Sequence, residues 1–286
     1  MEPPRPPRVA VLMTSHNRCA TTLAALDALA AQRGLPRGTT VRVHLVDAGS
    51  TDGTPDAVRR AHPGTEVTVV GPDVFWGHGM RLASRNSRAA GSPEPTHQLW
   101  LHAGVRLAPD ALAQLLRVSC RFEDAAVIVG AVRHEGVTTY SGRRRRGGAL
   151  ALVEPTGRPE PCDTYNGNVV LLPRAVRDRV GDIDKVFRHG MGDYDHGFRA
   201  RQAGIAAYVA PRHVGDCPAD PPLPGSREPG IGVREALRRR VSQPELPVWP
   251  WWVYCRRHAG MRAPVLMLSP YVVTVAQAAL ARRTTR

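Results

Sequence analysis

The chain has 286 residues, enough for one large domain or two small ones, and an ordinary globular composition. Its formal net charge of +14 comes almost entirely from arginine, which we interpret as a solvated basic surface and not as a nucleic-acid-binding one. Five scattered cysteines without a C-x-x-C pair argue against a disulfide framework and against a structural zinc site.

Strand-like and helix-like segments alternate through the first half of the chain. Short apolar runs predict strands, and leucines at helical spacing predict helices. The predicted strands are 8–14, 40–47, 66–70 and 98–101, and the predicted helices are 20–32, 52–60 and 79–90. Alternation with short connections predicts an α/β fold, with a doubly wound, mostly parallel sheet and helices on both faces.

The second half is less regular. We predict strands over 127–132, 149–153, 168–172 and 205–209, a helix over 194–202 and a long loop over 216–232. The segment SGRRRRGG (141–148) has four adjacent arginines that repel one another, so we predict a mobile solvated loop, with phosphate contact as the alternative.

The tail from Glu235 onward combines arginine clusters with the run WPWWVY and the longest apolar stretch, 263–280. Polar residues and a proline interrupt that stretch, so we predict a packed C-terminal helix, with peripheral membrane contact as the alternative. Trp249, Trp251 and Trp252 either pack the tail onto the main domain or form a patch for a homodimer or a membrane. The N-terminal MEPPRPPR lacks an apolar core, so we expect a cytoplasmic protein without a signal peptide, at most peripheral to the membrane.

The segment Asp47-Ala-Gly-Ser-Thr-Asp-Gly-Thr54 ends the second predicted strand. Its small residues let a ligand approach the backbone, and Ser50 or Thr51 is placed to cap the next helix, whose N-terminus favours negative charge. Asp47, at the strand tip, is a candidate acceptor of hydrogen bonds from a base or ribose. Taken alone, the segment fits a capped strand-to-helix turn equally well.

A series of motifs resembles the inverting family 2 glycosyltransferases, which have the GT-A fold, and a branch of rhamnosyl- and galactofuranosyltransferases in particular. Each motif is weak by itself, but the order is that of the family and the series covers most of the chain. The motifs are TSHNR (14–18), DAGSTDGT (47–54), FWGHGM (75–80), LWLHAGV (99–105), GNVVLLPR (167–174), DYDHGFRAR (193–201) and YCRRHAG (254–260).

The resemblance implies transfer of one sugar, with inversion, from a nucleoside diphosphate donor to a hydroxyl acceptor. That acceptor is a glycan, a lipid-linked compound or a small-molecule natural product. The division it implies is a nucleotide-sugar-binding half (1–120), an acceptor-binding and catalytic half of the same GT-A domain (121–215), and a loop with a helical tail (216–286).

The resemblance also assigns three sets of site residues. The nucleoside end of the donor is expected to be held by Thr14, Asn17, Arg18 and Asp47. The diphosphate is expected to lie near Arg81, His102 and Gly104. Asp193 is expected to act as general base, with Trp76 and Asp195 in contact with the acceptor.

The chain departs from the family where two aspartates usually bind a divalent cation, Mg²⁺ or Mn²⁺, that bridges the donor diphosphate. Ala103 and Gly104 stand at those positions, after His102, which argues against an ordinary cation site. We expect His102 and the Gly104 backbone to contact the diphosphate directly, with arginines as counter-charge. His213 is a candidate metal ligand or phosphate contact. The alternative function is a catalytically degenerate relative that binds sugar nucleotides or acts as a scaffold.

Overall fold

Strands and helices alternate up to residue 101 of the computed structural model. The structure describes residues 6–89, 93–147, 149–219, 225–226, 228, 230–242 and 245–284, without the side chains of 281–284. The strands are β1 (Arg8–Ser15), β2 (Thr40–Asp47), β3 (Thr65–Val69), β4 (His97–Leu101), β5 (Arg106–Leu107), β6 (Val127–Val129), β7 (Val132–His134), β8 (Val137–Tyr140), β9 (Gly142–Arg146), β10 (Ala149–Leu152), β11 (Glu160–Cys162), β12 (Thr164–Tyr165), β13 (Val169–Pro173), β14 (Ala207–Val209) and β15 (Gly215–Asp216). The helices are α1 (Cys19–Ala30), α2 (Thr54–Ala61), α3 (Trp76–Asn86), α4 (Ala111–Arg121), α5 (Arg174–Val180), α6 (Gly192–Gln202), α7 (Val233–Arg240), α8 (Val248–His258) and α9 (Ala263–Thr284), with a 3₁₀ turn over Gly260–Arg262.

Eight strands form the central sheet, in the order β11-β14-β6-β13-β4-β1-β2-β3. Six of them point the same way, whereas β13 and β11 run antiparallel to their neighbours. The predicted mostly parallel sheet is therefore confirmed. Strands buried on both faces need apolar residues at every position, and β4 and β13 are buried throughout.

The core has one layer on each face of this sheet. Alternate residues of β1 point to opposite layers, with Val11 and Met13 in one and Ala10 and Leu12 in the other. The first layer is closed by α1, α2 and α4, and the second by α3, α5 and α6. Helices therefore cover both faces, as the alternation of strand and helix in the sequence predicted.

The prediction of a mobile loop over 141–148 is wrong, although residue 148 lies outside the described residues. Gly142–Arg146 form β9, which pairs antiparallel with β10 and β12. Successive side chains of a strand point to opposite faces, so the arginines reach separate partners and do not crowd together. Arg143 donates to the Leu150 carbonyl at 3.1 Å, and Arg145 donates to the His258 carbonyl at 3.3 Å.

Two other boundaries differ from the prediction. The strand predicted over 127–132 is divided between β6 in the central sheet and β7 in a small sheet with β5, β8 and β15. The loop predicted over 216–232 begins inside β15, and its residues 220–224, 227 and 229 lie outside the description. Its end agrees with the start of α7.

The tail consists of three helices, α7 to α9. The predicted C-terminal helix is present as α9, and Trp251 Nε1 donates to its Leu266 and Met267 carbonyls at 3.2 Å. By length and composition, one helix of the described chain, over 260–280, is able to cross a membrane. Only one side of α9 is packed against the protein, so the predicted packing is partial.

Candidate active site

The loops after β1 and β2 form one unit at the carboxyl edge of the sheet. Strand register places Ser15 opposite Asp47, so both loops leave the sheet at the same level. The Asn17 side chain accepts a hydrogen bond from the Thr51 amide at 2.8 Å, and the Asn17 amide donates to Ser50 Oγ at 2.8 Å. Asn17 has a left-handed φ of 50°, which asparagine tolerates better than most residues. Arg18 follows it and is exposed.

Asp47 is fully buried at the end of β2. Its carboxylate accepts hydrogen bonds from the Ser50 amide at 2.8 Å and from Ser50 Oγ at 2.6 Å. The suggestion that Ser50 or Thr51 caps α2 is therefore wrong, because Ser50 holds the preceding turn. Asp52 supports the helix start instead, accepting from the Thr54 amide at 3.0 Å.

Helix α3 lies across the same edge, close to β1. A Cβ on Gly79 would lie 2.6 Å from Thr14 Cγ2, so only glycine permits this approach. Arg81, predicted near the diphosphate, donates to the Ile183 carbonyl at 2.6 Å. The Gly77 amide donates to the Arg188 carbonyl at 2.8 Å. Helix α3 is thus tied to the segment that precedes α6.

His102 and Gly104 form a turn immediately after β4. The His102 amide donates to the Asn168 carbonyl at 2.9 Å, and the Gly104 amide donates to His102 Nδ1 at 3.2 Å. Because Nδ1 accepts, a neutral His102 ring carries its proton on Nε2, the form that donates. Ala103 is only 1 % exposed and belongs to the core, so a carboxylate at this position would be buried among apolar groups.

Asp193 lies in the first turn of α6, next to the start of β13. Its carboxylate accepts hydrogen bonds from the Gly167 and Tyr194 amides, both at 2.9 Å. A Cβ on Gly167 would lie 2.6 Å from Trp76 Cζ2 and 3.4 Å from Asp193 Cβ. Glycine at 167 therefore lets Trp76 and Asp193 approach the same point. Burial raises the pKa of Asp193 above its ordinary value, and the two amides oppose this shift only in part.

A series of packed rings holds Trp76 in place beside Asp193. Trp76 packs edge-on against Trp100, and Trp100 packs edge-on against His196, with ring centroids 6.2 and 4.9 Å apart. His196 Nε2 donates to the Gly181 carbonyl at 2.9 Å, and Nδ1 accepts from the Tyr165 hydroxyl at 2.6 Å. Burial lowers the pKa of His196 to about 4, so this ring is neutral near pH 7.

Asp195 is the centre of a buried ionic network between α6 and α8. It is 0 % exposed and accepts from Arg199 Nε at 2.7 Å, Arg257 at 3.0 Å and His258 Nε2 at 2.9 Å. Arg257 also binds Asp184, at 2.7 Å. Although burial opposes ionisation, the hydrogen bonds to His258 and Arg199 hold the pKa of Asp195 at about 2. These contacts give Asp195 a positioning role, and its predicted contact with an acceptor stays a prediction.

Arg143 of β9 is a site residue that the sequence prediction missed. Its Nε donates to Asn166 at 3.1 Å, and its guanidinium lies over the Tyr194 ring, 5.7 Å from the centroid. Its positive charge lowers the pKa of Asp193, against the effect of burial. The adjacent glycines 147 and 148, between the segments 142–146 and 149–152, were the available sequence signal for a hairpin.

A model of the glycosyltransferase-like family 2 matches residues 6–259. The chain belongs to this family. Among curated proteins, it is 26% identical to an N-acetylglucosaminyl-diphospho-decaprenol L-rhamnosyltransferase found in two strains of Mycobacterium tuberculosis. The match covers 61% of this chain and 66% of the relative, slightly less than two thirds of the relative's length.

Solved structures show the same fold at low sequence identity. The mannosyltransferase PcManGT from Pyrobaculum calidifontis, in complex with GDP-Man and Mn²⁺, has a TM-score of 0.54 at 19% identity and covers 98% of this chain and 75% of its own. TarS from S. aureus has a TM-score of 0.57 at 12% identity and covers 94% of this chain and 49% of its own. A TarS 1-349 structure in complex with UDP has a TM-score of 0.54 at 12% identity, covering 89% of this chain and 73% of its own. The predicted GT-A fold is confirmed.

Ala103 and Gly104 supply no carboxylate at the positions where the family resemblance implies ligands to a divalent cation. In the described part of the chain, no group of three or more His, Cys, Asp or Glu side chains is arranged to hold a metal ion. His213, the candidate ligand, shares a 2.8 Å hydrogen bond with Thr138 and lies 4.0 Å from Glu154. Burial and Arg133 lower the pKa of His213.

The structure brings most predicted site residues to one edge of the sheet. Because β1, β2 and β4 are parallel neighbours, Thr14, Asp47 and His102 stand at the same edge. The antiparallel strand β13 begins at that edge, and Gly167, just before it, adds Trp76 and Asp193 to the group. His213 is not part of this group, since its contacts are with Thr138 and Glu154. Arg81 and Asp195 also have their side-chain contacts elsewhere, with the Ile183 carbonyl and with α8.

Proposed function

We propose that this family 2 member transfers one sugar, with inversion, from a nucleoside diphosphate donor to a hydroxyl acceptor, with Asp193 as the general base. The observation that carries the proposal is the placement of Asp193 beside Trp76, at the carboxyl edge where the donor loops end. Ligands of open α/β sheets bind at this edge. A carboxylate with a raised pKa is better matched to proton abstraction than an ordinary one.

In the proposed reaction, Asp193 takes the proton of the acceptor hydroxyl while that oxygen attacks the anomeric carbon. The bond between the anomeric carbon and the diphosphate breaks, and the diphosphate leaves with the electron pair. One displacement needs one base and inverts the configuration. Since two arginines and a histidine already hold Asp195, Asp193 is the better placed of the two carboxylates.

The donor is proposed to lie across the joined loops of Asn17 and Ser50, with its diphosphate toward His102. An Nε2–H on His102 is a suitable donor to a phosphate oxygen, and the Gly104 amide orients that ring by donating to its Nδ1. Ala103 and Gly104 supply no carboxylate to a cation, which supports binding without a metal.

The name of the curated relative specifies a sugar on a polyprenyl diphosphate as acceptor. A polyprenyl-diphosphate-linked sugar is therefore the first acceptor class to test, ahead of free glycans and small-molecule natural products. The cytoplasmic location and the homodimer stay predictions. Retention of Asp193, with its support from Gly167, argues against a degenerate sugar-nucleotide-binding protein.

The test is transfer from a panel of nucleotide sugars by the wild type and by Asp193→Asn, which keeps the shape but removes the proton acceptor. Turnover is expected to fall by about 10²–10⁴-fold, with little change in donor affinity. Asp178→Asn, an exposed carboxylate on α5 paired with Arg174 and Arg177, is the matched control and keeps full turnover. Near-normal turnover in a folded Asp193→Asn variant would rule out Asp193 as the base.

Binding without a metal has its own test, titration of the donor with and without EDTA. Affinity is expected to survive EDTA, and His102→Ala is expected to weaken it by about 1–3 kcal/mol through loss of a hydrogen bond to a charged group. Loss of binding in EDTA with recovery in Mn²⁺ or Mg²⁺ would contradict this part of the proposal.

A further inference from the structure

Exposed apolar residues are concentrated in the tail. Of the twelve large apolar residues that are exposed in the described part of the chain, ten lie between residues 248 and 280. Seven belong to α9, and they are Val265, Leu266, Leu268, Val272, Val273, Val275 and Leu280. Their positions follow the helical period, so they share one broad outer face. Met261 and Trp249, 100% and 66% exposed, add to it from the neighbouring turn and α8.

The opposite side of α9 is held by the protein. Ala263, Thr274 and Ala278 are buried, and the Tyr271 hydroxyl donates to the Leu246 carbonyl at 2.9 Å. Trp251 bonds two carbonyls of the same helix. A helix attached along one side is unable to cross a bilayer alone, although its 22 residues, at about 1.5 Å each, would be long enough. Its outer face is instead available along its length.

The charge of this region has one sign. Residues 246–286 contain no Asp or Glu and six arginines, of which Arg257 is paired with Asp184 and Asp195. The other five lie in the sequence at the two ends of the uncharged stretch 263–281, and they are Arg256, Arg262, Arg282, Arg283 and Arg286. Anionic lipid headgroups attract such cations, whereas apolar side chains between them enter the acyl region. Two copies joined through this face would each bring the same excess of positive charge, which like-charge repulsion disfavours.

We propose that the outer face of α9, together with Trp249 and Met261, docks in the plane of an anionic lipid bilayer. The apolar face supplies burial, and the arginines at its ends supply attraction to the headgroups. The inference is independent of the proposed transfer reaction, because docking needs neither donor nor acceptor.

The experiment is co-sedimentation of the full-length protein with vesicles of phosphatidylcholine containing phosphatidylglycerol at 30 mole per cent (about one lipid in three), in the absence of donor and acceptor. We expect binding that weakens in pure phosphatidylcholine and in high salt, since exposed charges are screened. Leu268→Ser with Val272→Ser is expected to lower the partition coefficient at least about tenfold, because two apolar side chains leave the interface.

The matched control is Val69→Ser with Val137→Ser, which changes two exposed valines, 50% and 68% exposed, outside the tail. It is expected to bind like the wild type. Circular dichroism confirms that both double variants are folded. Equal binding by the two double variants, or no binding to anionic vesicles by the wild type, would overturn the proposal. A wild-type dimer that Leu268→Ser with Val272→Ser converts to a monomer, without vesicle binding, would assign the face to a second copy.

Discussion

Two aspartates separated by one tyrosine on α6 have pKa values that are shifted in opposite directions. Burial raises the pKa of Asp193, whose hydrogen bonds come from two neutral backbone amides. Asp195 is fully buried, more so than the half-buried Asp193, but two arginines and a histidine hold its pKa at about 2. The difference therefore comes from the charge of the partners and not from burial alone.

The first prediction concerns the pH dependence of turnover. A carboxylate base acts when ionised, so kcat/KM falls as the pH decreases through the pKa of Asp193 in the free enzyme. Because burial raises this pKa above the ordinary 3.8, the acid limb is expected at a higher pH than for an exposed aspartate. A pH profile of kcat/KM, measured with subsaturating acceptor, gives this pKa. An acid limb at or below 3.8 would show that burial does not set the basicity.

The second prediction is that Gly167→Ala damages catalysis. The new methyl group would lie 2.6 Å from the Trp76 ring, so either the ring or the Asp193 turn must move. A displacement of about 1 Å in a reacting group costs about 10²-fold in rate. Steady-state kinetics measures the fall in kcat. Gly64→Ala is the control, since a Cβ there meets nothing within 4 Å. Unchanged kcat in Gly167→Ala would indicate that the ring adjusts without effect on the reaction.

At the level of elements, the network around Asp195 fastens α8 to α6. Asp195→Asn is expected to lower the free energy of unfolding by about 3 kcal/mol, because Arg199 and Arg257 lose the buried carboxylate that is their shared counter-charge. Asp56→Asn, in an exposed pair with Arg59, is expected to cost less than about 1 kcal/mol. Denaturant titration at pH 7 measures both. Equal losses would mean that the network adds no stability.

The same network gives the sign of the pH effect on stability. The pKa of Asp195 is about 2 in the folded protein and near 3.8 without its partners. A depressed carboxylate pKa stabilises the fold above the unfolded value, and this contribution is lost as the pH falls from about 4 to about 2. The loss should be absent from Asp195→Asn.

The parallel half of the sheet was predictable because its strands are short apolar runs with helical segments between them. Apolar residues on both faces are a requirement of buried parallel strands, so β1, β2 and β4 are visible in the sequence. Strand β9 was missed because four arginines were taken to repel one another, whereas alternation separates Arg143 and Arg145 from Arg144. Pairing with β10 and β12 makes this segment a strand, and the charges of its residues do not reveal that pairing.

The candidate site, too, was predictable from the sequence only in part. Asp193 and Trp76 were named from motifs, but only the fold shows that Gly167 brings them together. The partners of Asp195 were not predictable, since Arg257 and His258 lie 62 and 63 residues further along the chain. The buried Asp47 carboxylate accepts hydrogen bonds from the amide and hydroxyl of Ser50, and its position at a strand tip did not reveal this.

At the level of the whole molecule, the family match ends at residue 259, just before α9. A chain that ends after Gly260 keeps Arg257 and His258, so it is expected to retain turnover on a water-soluble acceptor and to lose vesicle binding. A chain that ends after Pro247 lacks two of the three partners of Asp195, Arg257 and His258, and is expected to unfold at lower denaturant concentration. Activity and denaturation assays of the two truncations measure this. If both truncated chains kept the same turnover, the network around Asp195 would not be needed for catalysis.

Strand β13 has a consequence for how the protein is made. It lies between β4 and β6, so β4 receives its second hydrogen-bonded neighbour only from residues 169–173. On the ribosome, β1 to β4 emerge well before that segment is synthesised. During this interval the nascent chain presents the open edge of β4, a strand that is buried throughout in the finished fold. Such edges promote aggregation. The first 120 residues therefore depend on later synthesis to complete the sheet, and expression of that fragment alone should yield insoluble protein.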